Sequence, residues 1–430
     1  MKFNRIILLS LILCSCDNAV EQSSYYDNYP TSNEEILTLN DARLFNASTI
    51  SHNSLSNSEE YSSYLSKLEN FSCKFISQYS DNENFVVSPI SLYFPLAINI
   101  ATCDTETKNE ILTALNMSEK EVIDYSKYLF SNLISASSNH QVKLDNSIWI
   151  DRNINVKNKC LENLADNFYT SSFYLNIKND NANSNKLICE YVKQCTNDLI
   201  ELNNLFSTET LLAIMNTIYF KDIWSAVKEK ISLVAKEKFE NVDGSISHSD
   251  FLLGEYLKGN IQQMNKYTHF YTQTNNGYKM KFIVPNDDYT IKDINLEEAI
   301  KTINNITNYQ DDNVTYYTNC YFPKFKTETD ANLKEILKDK FSISSLFNGD
   351  CDFSPLTDDK VHVETIRQNC VIDVNEYGIE AAAVTIEDIV GESIGEGSVV
   401  YQTFSVDKSF AYVLTDPNDI ILFSGVIYNL

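Results

Sequence analysis

Several organising features are scarce or missing from this sequence. Ten glycines and seven prolines in 430 residues exclude collagen-like, Gly-rich and Pro-rich architectures. The five histidines, at 52, 140, 248, 269 and 362, lie far apart and never form H-E-x-x-H. His362-Val363-Glu364 has the first spacing of a zinc deaminase, but no P-C-x-x-C follows. No two cysteines stand as C-x-x-C, and no G-x-x-x-x-G-K-S/T loop is present. The Asp/Asn runs, such as Asn179-Asp180-Asn181, lack the glycine and closing glutamate of a calcium loop. No metal and no cofactor is expected. Basic side chains number 34 against 59 acidic ones, a net charge of −25, which excludes a nucleic-acid partner.

What is there points to a folded, acidic body. With 26 Tyr and 23 Phe, and 43% hydrophobic residues, the chain is far too apolar for disorder. The N-terminus stands apart. Two basic residues, Lys2 and Arg5, precede the apolar run Ile6 to Leu13, which is too short for a permanent span and reads as an export signal. Leu13-Cys14-Ser15-Cys16 resembles a bacterial lipobox, with Cys16 as the lipidated first residue and residues 1–16 as the signal. An ordinary secretory signal is the alternative. The expected location is a cell-envelope lipoprotein, periplasmic or on the cell surface, held to the membrane by its N-terminal lipid. Residues 17–58 are polar, Ser- and Asn-rich, and read as a flexible tether. The remaining cysteines, Cys73 to Cys370, sit in apolar segments as small core residues; export permits disulfides, but the sequence assigns none.

From Glu59 the periodicities predict a helix over 61–79, a short strand Phe85-Val86-Val87, and a helix N-capped by Ser88 with Pro89 at its first position. Further helices are expected near 105–116, 119–136, 157–169, 184–197 and 329–340. Strands are expected at 143–150, 211–220, 278–284, 316–326, 361–375 and 399–427. Helices crowd the first half and strands the second, which predicts an α+β class. Gly391-Glu392-Ser393-Ile394-Gly395 matches G-x-S-x-G, yet a strand-like stretch follows and no histidine lies after His362. A hydrolase triad cannot be built, and no enzyme is expected.

The strongest signal is Val374-Asn375-Glu376-Tyr377-Gly378-Ile379-Glu380-Ala381-Ala382-Ala383-Val384-Thr385, a strand running through a glycine into small residues. It resembles the proximal hinge of the serpin family, with Tyr377 in place of the second acid. Asn84 to Ser91 and Asn216-Thr217-Ile218-Tyr219-Phe220-Lys221-Asp222-Ile223-Trp224 are similar to other family segments, as are Tyr191 to Ile200, Phe322 to Lys326, Phe404 to Phe410 and Asp416 to Val426. The resemblance covers residues 59–430. It implies three β-sheets, about eight or nine helices, and an exposed reactive-centre loop over about 376–403.

The resemblance implies a protease inhibitor: a target protease cleaves the loop, is trapped as a covalent acyl-enzyme, and the loop enters the large sheet. It assigns Ser88, Ser91 and Asn216 to the shutter, where the usual histidine falls on Gln368, and Trp224 to the breach. Gln368 is expected to make the hydrogen bond across the opening of the sheet through its amide. The hinge comprises Glu376, Gly378, Ile379, Glu380, Ala381, Ala382, Ala383 and Thr385. The seventeenth residue counted from Glu376 is Glu392, so the reactive bond is Glu392-Ser393, with Val390-Gly391 and Ile394-Gly395 as alternatives. A strand buries alternate residues, and in the family's register these are Ile379, Ala381, Ala383, Thr385, Glu387, Ile389 and Gly391. Ile379 is larger than the usual residue and is expected to slow early insertion. No Lys or Arg lies between Gln368 and Asp407, so the target is not trypsin-like but glutamyl-specific or elastase- or subtilisin-like. The acidity argues against a heparin-type polyanion and favours steering of a basic target. A monomer is expected, with loop-to-sheet polymerisation as a liability. The alternative function is a non-inhibitory surface protein of the same fold that serves as a binding module.

Overall fold

A computed structural model describes residues 38–50, 59–79, 83–137, 139–202, 205–224, 230–306, 314–348, 351–363, 366–379 and 398–430. Nine α-helices appear among them: α1 (Leu39–Ala42), α2 (Glu59–Gln78), α3 (Pro89–Thr102), α4 (Thr105–Leu115), α5 (Glu119–Leu133), α6 (Asn158–Phe168), α7 (Asn181–Cys195), α8 (Leu296–Asn304) and α9 (Lys334–Phe341). α3 is buried on all sides from Pro89 to Ile100, as an all-apolar helix must be. Ser88 caps it, its hydroxyl accepting from the Ser91 amide at 3.2 Å, with Pro89 opening the first turn as expected.

Three sheets complete the fold. The largest runs, in spatial order, β1 (Arg43–Phe45), β5 (Thr170–Leu175), β4 (His140–Asp151), β6 (Leu212–Ile223), β15 (Gly378–Ile379), β14 (Arg367–Asn375) and β13 (Phe325–Asn332), with β3 (Ser135–Ala136) on the end of β4. A second orders β2 (Phe85–Val87), β18 (Ile421–Ile427), β17 (Phe410–Thr415), β11 (Lys279–Pro285), β10 (Tyr267–Gln273) and β9 (Gln262–Gln263). The third orders β16 (Ser398–Ser405), β12 (Val314–Pro323), β8 (Ile246–Lys258) and β7 (Lys230–Glu240). The class is α+β with three sheets, as the resemblance implied.

Two expectations need correction. The helix read over 329–340 begins only at Lys334. Phe325, Thr327, Thr329 and Ala331 are buried while Lys326, Glu328, Asp330 and Asn332 are exposed, a period of two that makes a strand. The tether read over 17–58 is also too long. Residues 38–50 pack onto the folded body. Thr38 and Asp41 form a reciprocal capping box for α1. Ala42 is buried in a cluster with Trp149, Phe173 and Tyr191. β1 pairs with β5, covering what would be an open sheet edge, and the Arg43 guanidinium lies 5.2 Å from the Phe173 ring centroid. No apolar period flags this segment, because one alanine and one strand pairing do the holding. Residues 1–37 lie outside the described residues, and the expectations for Cys16 and the signal with them.

α7 contacts β4 and β6 of the large sheet through the same aromatic cluster, Trp149 stacked on Phe173 at 4.2 Å and Tyr191 edge-on to both. The chain leaves α7 through Asn197 and Asp198 at φ of 50° and 60°, a left-handed turn that these residue types tolerate.

Candidate functional site: a hinge seated in the large sheet

β14 ends at Asn375, whose side chain shapes the turn that follows. Its amide donates to Asp373 Oδ1 at 3.0 Å and its Oδ1 accepts from the Tyr377 amide at 3.0 Å. The chain reverses over Glu376 and Tyr377 and re-enters the sheet. Gly378 and Ile379 pair with Asn375 and Val374 on one side, and with Ile223 and Asp222 of β6 on the other. Gly378 is required by space, not by dihedral freedom: a Cβ there would lie 2.2 Å from the Asp222 carbonyl oxygen and 2.8 Å from Ile223 Cα. Ile379 is 1% exposed. The bulk expected to slow early insertion is therefore already seated, packed into the main hydrophobic core between β6 and β14.

Trp224 fixes the hinge at the top of β6. Its indole N–H donates to the Asn375 carbonyl at 2.7 Å, its backbone N–H donates to the Tyr377 carbonyl at 3.2 Å, and its ring meets Phe322 edge-on at 5.8 Å. Lys324 and Glu376 form an ion pair at 2.8 Å across the turn. The Lys324 hydrogen bond holds the Glu376 carboxyl below the usual carboxylate range.

Below Ile379, among the described residues, β6 and β14 are joined only through β15. A slit of about 10 Å³, room for one water, lies between Ile218 and Phe220 of β6 and Val371 and Ile372 of β14. Leu199 and Ile200, after α7, cover it on one side, and Leu414 and Phe423 of the second sheet floor it. Its apolar walls suit alternating small and apolar side chains.

Ser88, Ser91 and Gln368 come together at the start of α3, Asn216 bonds elsewhere, and among the described residues no hydrogen bond joins them across the opening. Gln368 is 4% exposed; its Nε2 donates to the Ser88 carbonyl at 2.7 Å and its Oε1 accepts from the Ser88 amide at 3.1 Å. The amide thus spends both groups on the start of α3, correcting the expected bond across the sheet. Asn216 donates instead to Asn146 Oδ1 at 2.8 Å and to the Asp145 carbonyl at 3.3 Å, while its own Oδ1 is buried without a partner. Gln368 thereby ties β14 to the start of α3, and Asn216 ties β6 to β4. Gln368→Leu should take the Gln368 partner from the buried Ser88 amide, while the Ser88 carbonyl keeps the Leu92 amide at 3.2 Å, and cost about 1–3 kcal/mol in urea unfolding, the penalty of one orphaned group. A loss below about 0.5 kcal/mol would show that water replaces the amide.

Asp222 escaped the sequence reading. Its buried carboxylate accepts from the Asn276 amide at 3.2 Å, from Asn276 Nδ2 at 2.8 Å and from the Ile223 amide at 3.0 Å, with the His140 ring at 3.7 Å. It stiffens the strand end on which the hinge pairs. The one signal was an acid set between the aromatic run Tyr219-Phe220 and Ile223-Trp224. Glu380, Ala381, Ala382, Ala383, Thr385 and the candidate bonds at Val390-Gly391, Glu392-Ser393 and Ile394-Gly395 lie outside the described residues.

A family model described as "Serpin (serine protease inhibitor)" matches residues 66–430. Antitrypsin of Bombyx mori is 25% identical over 386 residues, covering 84% of this chain and 93% of that protein. Iripin-2 of Ixodes ricinus is 26% identical over 81% of this chain and 88% of its own length. Among solved structures, the native state of the thermophilic serpin tengpin superposes with a TM-score of 0.74 at 22% identity, covering 90% of this chain and 98% of that one. The native stressed conformation of an Arabidopsis serpin superposes with a TM-score of 0.71 at 21% identity, over 87% and 99%.

Proposed function

The chain belongs to the serpin family, whose members are generally protease inhibitors, and we propose that it traps a non-tryptic protease by suicide cleavage of its reactive-centre loop. The observation that carries this reading is the hinge: Gly378 and Ile379 already occupy the place of an additional strand, between β6 and β14, with apolar side chains lining the small gap below them. In the proposed reaction the protease nucleophile bonds to the Glu392 carbonyl carbon and the Ser393 amine leaves. The freed loop then zips into the slit behind Ile379 and carries the acyl-enzyme with it. The new terminus at Ser393 precedes β16, β17 and β18, which stay in their sheets until the protein is denatured.

Target choice follows from the loop's side chains. The moth relative's name points to trypsin, yet the stretch from Gln368 to Asp407 here offers no Lys or Arg to a pocket that needs one. Glu387, Asp388, Glu392 and Glu396 favour a glutamyl-specific enzyme, and the aliphatic neighbours an elastase- or subtilisin-like one. Export as a lipoprotein through Cys16 would place such an inhibitor in the cell envelope.

The test mixes the purified chain with glutamyl, elastase-, subtilisin-, chymotrypsin- and trypsin-like proteases and separates the products on a denaturing gel. A covalent band at the summed mass with a non-tryptic protease is expected, together with a released C-terminal peptide that begins at Ser393. Cleavage in the loop with no covalent band across the panel would sink the inhibitory reading and support the binding-module alternative.

A further inference from the structure

Eight cysteines lie among the described residues, and two of them meet far from the hinge. Cys103 is the C-cap of α3, its amide donating to the Asn99 carbonyl at 3.0 Å. Cys351 lies in the segment that leads from α9 towards β14. Three observations fix them as neighbours. The Asp104 amide donates to the Asp352 carbonyl at 2.8 Å, aligning the two backbones one residue beyond each cysteine. The Cys351 sulfur lies 3.3 Å from the Thr107 hydroxyl on α4, which also accepts from the Ser345 hydroxyl at 2.9 Å. Glu110 of α4 accepts from the amides of Ser344 and Ser345, both at 2.9 Å, clamping the preceding turn. Within this frame the Cys103 thiol donates to Asn99 Oδ1 at 3.7 Å, and the two thiols are near enough for each to perturb the other.

We infer that Cys103 and Cys351 form a disulfide in an oxidising compartment, stapling the end of α3 to the approach to β14. The roles of the two sulfurs differ. Cys103 is buried, and desolvation raises its thiol well above the usual range. Cys351 is half-buried, and the neighbouring Cys103 thiol brings its thiol down to about 7. Cys351 is therefore the entering nucleophile. Its thiolate attacks a small-molecule or protein disulfide, forming a mixed disulfide and expelling one thiolate. Cys103 then loses its proton to solvent and attacks the Cys351 sulfur, expelling the second thiolate. The external disulfide takes up the two electrons and the protein thiols lose them. The bridge would close a loop of 249 residues, counted from 103 to 351, and so constrain the unfolded chain far more than the folded one. Cys160, whose sulfur faces the Ala101 carbonyl at 3.5 Å, is the competing partner for Cys103.

The experiment incubates the folded full-length chain with oxidised glutathione, blocks remaining thiols, and maps disulfide-linked peptides after digestion without reductant. The expected result is one linked pair, Cys103 to Cys351, with the loss of two titratable thiols. Cys103→Ser should instead hold a stable glutathione adduct at Cys351, and Cys351→Ser should leave Cys103 unmodified. Wild-type protein whose Cys103 and Cys351 both stay free for blocking would overturn the inference. So would a Cys103–Cys160 link. The mapping reads the wild type directly, so it stands even if a variant folds poorly, and it is independent of whether any protease is trapped.

Discussion

Cleavage of the loop at Glu392-Ser393 is expected to raise the unfolding temperature by roughly ten degrees or more, through new ladder hydrogen bonds on both edges of an inserted strand. The starting point is a sheet joined, between β6 and β14, only at its top by Gly378 and Ile379. While the loop is intact its far end is held by β16, paired in parallel with β12, so the segment between cannot descend. Cutting removes that tether. The residues that would then turn inward, Ala381, Ala383, Thr385, Ile389 and Gly391, are small or apolar and match walls built from Ile218, Phe220, Val371 and Ile372. Glu387 opposes the process, since a carboxylate buried without a partner is costly. Glu387→Ser should therefore enlarge the gain. Differential scanning calorimetry before and after digestion reads the effect directly. A cleaved chain that melts at the same temperature as the intact one would mean that the slit does not accept the loop.

Gly378→Val is expected to convert trapping into simple turnover, with at least a tenfold fall in the ratio of covalent complex to cleaved chain, as about 1.4 kcal/mol of hinge displacement would give. The Cβ of any residue here would collide with the Asp222 carbonyl and Ile223 Cα, both backbone atoms that cannot swing aside. The hinge would have to leave the gap between β6 and β14, dragging Ile379 out of its buried site. Strand entry would then start from solvent and lag behind deacylation. Trp224 offers a check on location, because its indole bond to the Asn375 carbonyl ends at this turn and its fluorescence should shift in the variant. An unchanged ratio of complex to cleaved chain would show that the two-residue pairing is incidental.

The sequence by itself determined the elements whose pattern is local. α2 and α3, the capped entry at Ser88-Pro89, the strand before the hinge and the row of small residues after Gly378 all follow from periodicity or steric type, which neighbours in sequence settle among themselves. The absence of Lys and Arg between Gln368 and Asp407 was likewise legible, because composition is read directly from the sequence. What only the tertiary structure decided depends on residues far apart in the chain. Gln368 shows nothing in sequence of its two bonds to Ser88, 280 positions away. Ala42 and Arg43 look like linker until β5 gives them an edge to cover. Thr329 to Asn332 joined the strand that begins at Phe325 because β14 lay ready to pair with them, overriding a helical reading that began at 329. The seating of Ile379 follows the same physics. A side chain's fit is set by the cavity it meets, and that cavity exists only when β6 and β14 stand apart.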